Sequence, residues 1–298
     1  MNDPAVTFEP HRRRLLGLAY RMLGSIAEAE DAVQDAYLRW HGADRDNVTD
    51  ARGFLTTATA RICLDVLRSA RARREAYVGP WLPEPVVDTT ALAPDAQTEL
   101  AEDLSIALLL ALDRLSPLER AAFLLHDVFD CSFGEVASAL DRSEAACRQL
   151  ASRARTHVRE ARPRDQSVPR HHGDEATTRH EELVSAFLDA ARSGDLDTLT
   201  SMLAEDARLA TDGGGKVLAA LNVIEGADRV ARFTIGAVKK GLPDGTTVRF
   251  RLVNGLPGLI VCSPDGHLQT VAFEIERNLI RRIYSVSNPD KLKHLTPA

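Results

Sequence analysis

The sequence predicts a multidomain chain in which two all-α domains are followed by one α+β domain. Residues 8–74 and 100–162 both carry apolar residues at helical spacing. Residues 75–99 between them are rich in proline and lack an apolar period, as expected for a linker. A polar linker, residues 163–176, leads into residues 177–296, where helical segments give way to strands separated by Gly, Pro, Asn and Asp turns.

The composition is that of a globular protein. The 298 residues are 44% hydrophobic and 27% charged, which excludes collagen-like, coiled-coil and wholly disordered chains. The longest apolar run, Ile106 to Leu112, is too short to span a membrane, and residues 1–14 lack the apolar core of a signal peptide. Four scattered cysteines without a CxxC pair fit a reducing compartment. We therefore expect a cytoplasmic protein with no membrane segment and no metal or other cofactor.

The positive charge is unevenly distributed along the chain. The net charge is −6, yet the first 170 residues contain arginine and no lysine, and all five lysines follow residue 200. Arginines cluster at the end of the first helical part and along the last helix of the second. Local basic patches of this kind bind phosphate even in a chain of negative net charge, which favours nucleic acid as a partner.

Four S/T-x-x-E sequences predict where helices begin. In this capping box the hydroxyl and the glutamate satisfy backbone N–H groups reciprocally. The four sequences start at Ser25, Ser116, Ser132 and Thr178.

The predicted helix 26–41 has two contrasting faces. Its apolar stripe is expected to be buried, and includes Ala29, Val33 and Trp40. The opposite face is acidic and contains a single apolar residue. It consists of Asp31, Gln34, Asp35, Leu38 and Arg39. From spacing alone, this face is either a solvated surface with an isolated leucine or a docking surface.

The predicted helix 54–74 carries a net-positive face. Arg61, Asp65 and Arg68 share that face, and three further arginines continue past it. These three are Arg71, Arg73 and Arg74. The pattern fits either a set of salt bridges within the helix or a helix that follows the phosphates of a nucleic acid.

Residues 132–160 show the pattern of a helix-turn-helix motif, with a short capped helix, a three-residue turn and a longer helix from residue 144. In the longer helix we expect an inward stripe of Ala146, Leu150, Ala154 and Val158. The residues predicted to face DNA are Ser143, Glu144, Arg148, Gln149, Ser152, Arg153 and Arg155. Arginine and glutamine pair bidentately with guanine and adenine in the major groove. The alternative is a basic outer face of a small bundle.

The α+β part offers four acid–base candidates: Asp206, Asp212, Glu225 and His267. Asp212 lies in TDGGGK and His267 in SPDGH, and aspartates in such turns bond to local backbone. General acid–base catalysis needs a titratable group in a pocket, and no Asp/His pair occurs at a convincing spacing. We therefore predict that this part has no enzymatic activity.

Three segments resemble regions of bacterial sigma factors. AEDAVQDAYLRWH, ending at His41, is similar to the region 2 helix that binds core RNA polymerase. FLTTATARICLDVLRSARARRE, from Phe54, is similar to the helix that melts the promoter and reads the −10 element. Residues 112–155 resemble region 4, which reads the −35 element. Two such regions joined by a single linker are typical of the extracytoplasmic-function type.

Further motifs resemble one subgroup, whose members carry a fused SnoaL-like (NTF2-like) cone domain. They are WLPEPV at 81–86, NGLPG at 254–258 and NPDK at 288–291. This resemblance implies a fold in which region 2, a helical bundle, and region 4, a helix-turn-helix, precede an α+β cone with a curved antiparallel sheet.

The resemblance also implies partners and site residues. The acidic face from Asp31 to Arg39 would bind the β′ clamp helices of core RNA polymerase, whose β flap is a further expected contact. Promoter DNA would meet Arg61, Asp65, Arg68 and the arginines after them at −10, and the residues from Ser143 to Arg155 named above at −35. The sequence reveals neither a separate anti-sigma factor nor a small-molecule ligand of the cone.

An intramolecular contact is the expected regulatory device. NPDK is either a terminal turn or an intramolecular contact, with the linker or with the first sigma domain, that sets the spacing of the DNA-reading domains. The residues involved would be Trp81, Leu82, Pro83, Glu84 and Pro85 on one side and Asn288, Pro289, Asp290, Lys291 and Leu292 on the other. A tethered partner has a high effective concentration, so a weak contact suffices.

Two alternatives to a sigma factor stay open from the sequence. One is a helix-turn-helix regulator that senses a small molecule through the cone. The other is a SnoaL-like enzyme fused to a DNA-binding module. The acidic face from Asp31 to Arg39 separates them from a sigma factor, because neither has a use for it.

Overall fold

The computed structural model describes residues 3–75, 77–87, 92, 104–161, 174–240 and 243–295. The chain divides into two compact units. The first unit comprises residues 1–76 and 89–164, and the second comprises residues 77–88 and 165–298. The segment 77–87, which begins the proline-rich sequence, therefore belongs to the same unit as the C-terminal part. Most of the predicted linker 163–176 lies outside the described residues.

The first unit is helical in its described parts. Its helices are α1 (Pro4–Leu23), α2 (Ile26–His41), α3 (Ala51–Glu75), α4 (Ile106–Asp113), α5 (Pro117–Phe123), α6 (Phe133–Leu140) and α7 (Glu144–Ala161). Ser116 and Ser132 form complete capping boxes with Glu119 and Glu135, and the Ser25 hydroxyl accepts a hydrogen bond from the Glu28 N–H. These caps fix the starts of α2, α5 and α6 at the predicted positions.

The buried stripe of α7 is rotated from the predicted one. Cys147, Ala151, Ala154 and Val158 are buried, whereas Ala146 and Leu150 are only half-buried. The prediction of a strict four-residue spacing was therefore wrong by about one position at its start. The tertiary contacts of α7 include α5 and α6, and the side of α7 that faces them carries Cys147 and Ala151.

Buried arginines join the two helical parts of the first unit. The Arg120 guanidinium on α5 donates to the Met22 carbonyl at the end of α1, 2.5 Å away, and to the Asp113 carboxylate, 3.1 Å away. Arg14 on α1 donates to the Phe129 carbonyl. Both arginines are at most 5% exposed. Each guanidinium satisfies carbonyl or carboxylate groups that burial would otherwise leave without a partner.

In its described residues, the second unit combines three α-helices with one mixed sheet. The helices are α8 (Asp174–Ser193), α9 (Leu196–Ser201) and α10 (Ala227–Lys239). The strands are β1 (Leu203–Asp212), β2 (Ile224–Glu225), β3 (Thr247–Val253), β4 (Leu256–Cys262), β5 (Leu268–Glu276) and β6 (Leu279–Val286). They follow the order β2-β1-β6-β5-β4-β3. Side chains from α8 to α10 and from one sheet face share a core that includes Phe187, Val230 and Phe273.

Two sequence predictions about this unit need correction. The sheet is not wholly antiparallel, because β1 pairs in parallel with β6. This pairing places the C-terminal ends of both strands at the same edge of the sheet. Thr178 does not cap a helix, because α8 already begins at Asp174 and Thr178 lies within its second turn.

No helix in the described part of the chain is both long and apolar enough to cross a membrane.

Candidate functional sites

The five predicted docking residues of α2 share one exposed face. Asp31, Gln34, Asp35, Leu38 and Arg39 are all exposed. The other side of α2 is buried, and there the Trp40 indole N–H donates to the Pro4 carbonyl at 3.1 Å. Leu38 is 59% exposed between acidic neighbours. A large aliphatic side chain held outward by a well-packed helix is suited to enter an apolar pocket on a partner.

Three of the predicted DNA-facing residues of α3, Arg61, Asp65 and Arg68, have partners within the first unit. The Arg61 guanidinium donates to the carbonyls of Ser138 and Ala139 at the C-terminal end of α6, at 2.6 and 3.0 Å. Asp65 and Arg68 form an exposed ion pair at 3.0 Å. Arg71, Arg73 and Arg74 lie in the last turns of α3, and their side chains are outside the described part.

The predicted DNA-facing residues of α7 fall into two groups. Arg153 and Arg155 form ion pairs with Glu119 at 2.8 Å and Asp127 at 2.6 Å, which tie α7 to the preceding helices. The other group is exposed and comprises Ser143, Glu144, Arg148, Gln149 and Ser152. The structure therefore leaves the N-terminal half of α7 available to a partner.

Two contacts organise the exposed N-terminal half of α7. The Ser143 hydroxyl accepts from the Ala146 N–H at 3.3 Å and caps the helix. Arg148 pairs with Glu144 at 2.6 Å and lies over the Phe133 ring, with its guanidinium carbon 5.0 Å from the ring centroid. The Arg148 guanidinium is thereby held at the junction of α6 and α7.

The Glu119–Arg153 pair is expected to make the stability of the first unit depend on pH. Burial alone would raise the pKa of the Glu119 carboxyl, but hydrogen bonds from Ser116 and Arg153 lower it below its usual value. A lowered folded-state pKa stabilises the fold above the unfolded-state pKa, and this contribution is lost as the pH falls through the folded-state value. Glu119→Gln should therefore lower the urea midpoint of unfolding at pH 7. The difference in midpoint between this variant and the unmodified chain should become smaller below about pH 4. Glu160→Gln, at an exposed site on α7, is the control, and a gap that does not change with pH would contradict the assignment.

The segment 77–87 is bound to the second unit through one buried carboxylate. Asp212, at the end of β1, is 1% exposed. Its carboxylate accepts hydrogen bonds from the Leu82 N–H at 2.8 Å, from the Tyr77 hydroxyl and from the Gly214 N–H at 3.1 Å. Lys291 completes the set with an ion pair at 2.7 Å. One acidic side chain thus holds both ends of the sequence from Tyr77 to Leu82.

Lys291 lies between the carboxylate and two aromatic rings. Its ammonium nitrogen is 4.3 Å from the centre of the Trp81 ring and 4.9 Å from that of Tyr77, and it also donates to the Leu82 carbonyl. The Lys291 residue is 8% exposed. In such a desolvated site the cation–π contacts and the ion pair are stronger than at an exposed surface. We name Tyr77, Trp81, Leu82, Asp212 and Lys291 the linker clamp.

Further contacts extend the linker clamp in both directions. The Asn288 amide donates to the Tyr77 hydroxyl at 2.9 Å. Val86 and Asn254 exchange two hydrogen bonds of 2.7 and 3.1 Å, and the His294 ring bonds the Pro85 carbonyl at 2.8 Å. The structure thus brings the WLPEPV and NPDK sequences together with the NGLPG turn. Burial, followed by the hydrogen bond to Asp212, raises the pKa of the Tyr77 hydroxyl, so that it stays protonated as a donor.

Asp290 occupies the outer side of this cluster. Lys216 and Lys293 both form ion pairs with its carboxylate. Together they lower the pKa of Asp290. Asp290 is therefore tied to the turn after β1 through Lys216, and it does not contact the segment 77–87 through any described bond.

Sequence reasoning missed the role of Asp212 and of the glycines that follow it. A Cβ added at Gly214, where φ is +60°, would lie 2.2 Å from the Asn288 amide nitrogen. A Cβ at Gly213 would lie 2.3 Å from the Val217 carbonyl oxygen. Gly214 is therefore needed for the close approach of NPDK to the end of β1, and Gly213 for the close approach of Val217 in the turn that follows. Three glycines directly after an aspartate were the available signal.

None of the four acid–base candidates is among the described residues that line the cavity between the helices and the sheet. Asp206 pairs with Arg281 at 3.0 Å and Glu225 with Arg208 at 3.4 Å, while Asp212 belongs to the linker clamp. His267 lies in the turn between β4 and β5. A cavity of about 180 Å³ opens between the helices and the sheet, and its described lining contains no carboxylate and no imidazole.

Comparison with known proteins identifies the two helical parts, and the matches to two relatives extend over nearly the whole chain. Models of the families "Sigma-70 region 2" and "Sigma-70, region 4" match residues 7–73 and 105–158. The ECF RNA polymerase sigma factor SigJ of Mycobacterium tuberculosis is 40% identical, over 95% of this chain and 91% of that protein. The probable ECF RNA polymerase sigma factor SigI of the same species is 31% identical, over 99% and 97%.

A solved structure shows the same arrangement. The crystal structure of SigJ from Mycobacterium tuberculosis superposes with a TM-score of 0.71 at 36% identity, and covers 96% of this chain and 97% of that one. Two all-α sigma regions followed by an α+β cone domain thus form the fold in both proteins. Together with the identity to SigJ and SigI, this shows that the chain belongs to the extracytoplasmic-function RNA polymerase sigma factors.

Proposed function

We propose that this sigma factor binds core RNA polymerase through the acidic face of α2 and directs it to a promoter, working in the cytoplasm where the polymerase is found. The observation that carries the proposal is Leu38, which is 59% exposed on a helix whose opposite side is buried. Four polar residues surround it on the same face. Protein interfaces commonly combine an apolar centre with a polar rim. The β′ clamp helices are the proposed partner of this face, and the β flap is a further polymerase contact.

The exposed N-terminal half of α7 is the proposed −35 reader. Arg148, Gln149 and Ser152 are exposed there, and Ser143 and Glu144 lie at the helix start that enters the major groove first. Arg153 and Arg155 lie further from the helix start, and we infer that they contact phosphates and not bases. This division supports base readout by Gln149 and Arg148.

Gln149→Ala is expected to relax promoter recognition without unfolding the chain. Loss of one bidentate base contact costs about 1–3 kcal/mol, or roughly 5- to 150-fold in affinity for the matching base. The measurement is the affinity of the reconstituted holoenzyme for a promoter selected from a random library, and for single-base variants of its −35 element. The control is Thr156→Ala, at an exposed position in the C-terminal half of α7. Unchanged discrimination at every −35 position would contradict the assignment.

The −10 assignment to α3 requires a rearrangement of the first unit. Arg61 now donates to the carbonyls of Ser138 and Ala139, so its guanidinium is occupied. We infer that Arg61 leaves these carbonyls when the holoenzyme opens the promoter. The other proposed DNA contacts on this helix are Asp65, Arg68, Arg71, Arg73 and Arg74.

We infer that the second unit acts as a regulatory brace and not as an enzyme. The described lining of its cavity contains no acid–base pair. Among the four acid–base candidates, Asp212 is buried, and its carboxylate holds the segment 77–87 instead. This segment leads from region 2 towards region 4. Holding it therefore restricts the spacing that the two DNA-reading regions can adopt.

Trp81→Ala tests this regulatory role. It removes the Trp81 ring that contacts the Lys291 ammonium. One cation–π contact is worth about 1 kcal/mol, so we expect promoter output to change by about fivefold. Asp290→Ala, which frees Lys216, is expected to change output in the same direction. The readout is transcription by holoenzyme made with the full chain, and circular dichroism checks that each variant is folded. Leu252→Ala, at an exposed strand position, is the control. Unchanged output in both variants would overturn the regulatory role.

A further inference from the structure

The second unit contains a cavity that the linker clamp does not use. It has a volume of about 180 Å³ and lies between α8, α10 and the inner face of the sheet. Its walls are mainly apolar and aromatic, and Phe187, Phe233 and Phe273 are among them. A dry apolar cavity of about 150 Å³ in another protein binds benzene, so this one has room for a single small ring.

The polar groups in the cavity are confined to a few residues, and most have protein partners. The Thr211 hydroxyl exchanges hydrogen bonds with the backbone of Ala220, and the Thr234 hydroxyl donates to the Val230 carbonyl. Arg192 pairs with Asp189. These three therefore have little need for a ligand.

Gln269 and Ser285 differ from the other polar residues of the wall. The Gln269 amide nitrogen donates to the Ser285 hydroxyl oxygen at 2.8 Å. Within the described residues, no bond satisfies the Gln269 carbonyl oxygen or uses the Ser285 hydroxyl as a donor. The pair thus presents one acceptor and one donor side by side on adjacent strands. A ligand hydroxyl can satisfy both, since it donates and accepts at once.

We propose that this cavity is a binding site for a small, monocyclic hydroxylated molecule, such as a phenol or a cyclic alcohol, whose ring lies among the phenylalanines and whose hydroxyl bonds Gln269 and Ser285. Apolar burial supplies most of the affinity, and the paired amide and hydroxyl select for the ligand's hydroxyl group. The described lining has no group that would catalyse a reaction on such a molecule.

The site is placed next to the linker clamp. Thr211 lines the cavity, and the following residue on β1 is Asp212. Ser285 lines it on β6, two residues before Ser287, whose N–H donates to the Asp212 carbonyl at 2.9 Å. Occupancy of the cavity is therefore expected to slow exchange of the Leu82 amide with solvent. This consequence rests on the proposed regulatory function, whereas ligand binding itself does not.

The test is calorimetric titration of the full chain, without polymerase, with p-cresol and with toluene, which differ by one hydroxyl. We expect saturable binding of both, with p-cresol about fivefold tighter. Val271→Phe, which fills the cavity, should weaken both by at least about tenfold. Val223→Phe, which adds the same ring at an exposed site outside the lining, should bind as the unmodified chain does.

Gln269→Leu combined with Ser285→Ala keeps the wall apolar and removes both the acceptor and the donor. We expect p-cresol and toluene to bind this variant equally well, and this result decides the proposal if Val271→Phe fails to fold. Absence of saturable binding to the unmodified chain would overturn the site. Equal affinity of Val271→Phe and the unmodified chain, or a hydroxyl preference retained in the variant that lacks both Gln269 and Ser285, would also overturn it. Binding without any change in Leu82 amide exchange would leave the site in place and contradict its link to the regulatory function.

Discussion

Leu38→Glu is expected to abolish binding of core RNA polymerase while the first unit stays folded. The side chain is 59% exposed, so its replacement removes little buried surface from the chain. At the proposed interface it would be desolvated, and a buried carboxylate without a partner is strongly unfavourable. Loss of a central hot-spot residue costs about 2 kcal/mol or more, which corresponds to at least a roughly 30-fold higher Kd. The measurement is the Kd of the full chain for core polymerase, with helical circular dichroism as the folding check.

Val6→Glu is the matched control for this experiment. Val6 lies on α1, outside the proposed docking face, and is 69% exposed. The same change from apolar to acidic at that site should leave the Kd within about twofold, since surface substitutions away from an interface have little effect. If Leu38→Glu bound core polymerase as tightly as Val6→Glu does, the acidic face of α2 would be an ordinary solvated surface.

Asp212→Ala is expected to release the segment 77–87 from the second unit. It removes the acceptor of the Leu82 and Tyr77 hydrogen bonds and leaves the Lys291 ammonium buried without its carboxylate. Removing one partner of a buried ion pair lowers stability by about 3–5 kcal/mol. The Leu82 amide should then exchange with solvent at least about a hundredfold faster, because its exchange reports the free energy of local opening. Hydrogen–deuterium exchange of the peptide that spans residues 77–87 measures this.

Lys293→Met provides the control within the same turn. Lys293 is an exposed lysine that pairs with the half-exposed Asp290, and such surface ion pairs contribute about 1 kcal/mol or less. Exchange in residues 77–87 should be nearly unchanged in this variant. Lys291→Met combined with Asp212→Asn should restore part of the protection lost in Asp212→Ala, since neither residue then leaves a buried charge unpaired. Unchanged exchange of the Leu82 amide in Asp212→Ala would contradict the clamp.

The helical elements were predictable from sequence because their signals are local. The capping boxes at Ser116 and Ser132 are formed by residues three apart, and the outward face of α2 follows from its helical period. The packing stripe of α7 was misplaced because small residues such as Cys147 and Ala151 give a weak periodic signal. Their burial depends on the helices packed against α7, which are distant in sequence.

The linker clamp was predictable only in part, for a related reason. The resemblance of WLPEPV and NPDK to motifs of one sigma-factor subgroup pointed to a contact between them. It did not indicate that Asp212 lies at the centre of that contact. Asp212 was read as a turn residue, and its carboxylate does accept the local Gly214 N–H. Its partners Leu82 and Lys291 lie 130 and 79 residues away along the chain. The parallel pairing of β1 with β6 brings Lys291 close to Asp212, and the sequence does not encode that pairing locally.

Run-off transcription tests the central claim most directly. Core RNA polymerase, the full chain and a promoter selected from a random library are combined, and the Leu38→Glu chain is run beside the unmodified one. We predict a transcript of one defined length that requires both core polymerase and the unmodified chain and that is lost with Leu38→Glu. A chain that binds duplex DNA by itself, but yields no core-dependent transcript, would contradict the proposed recruitment of polymerase.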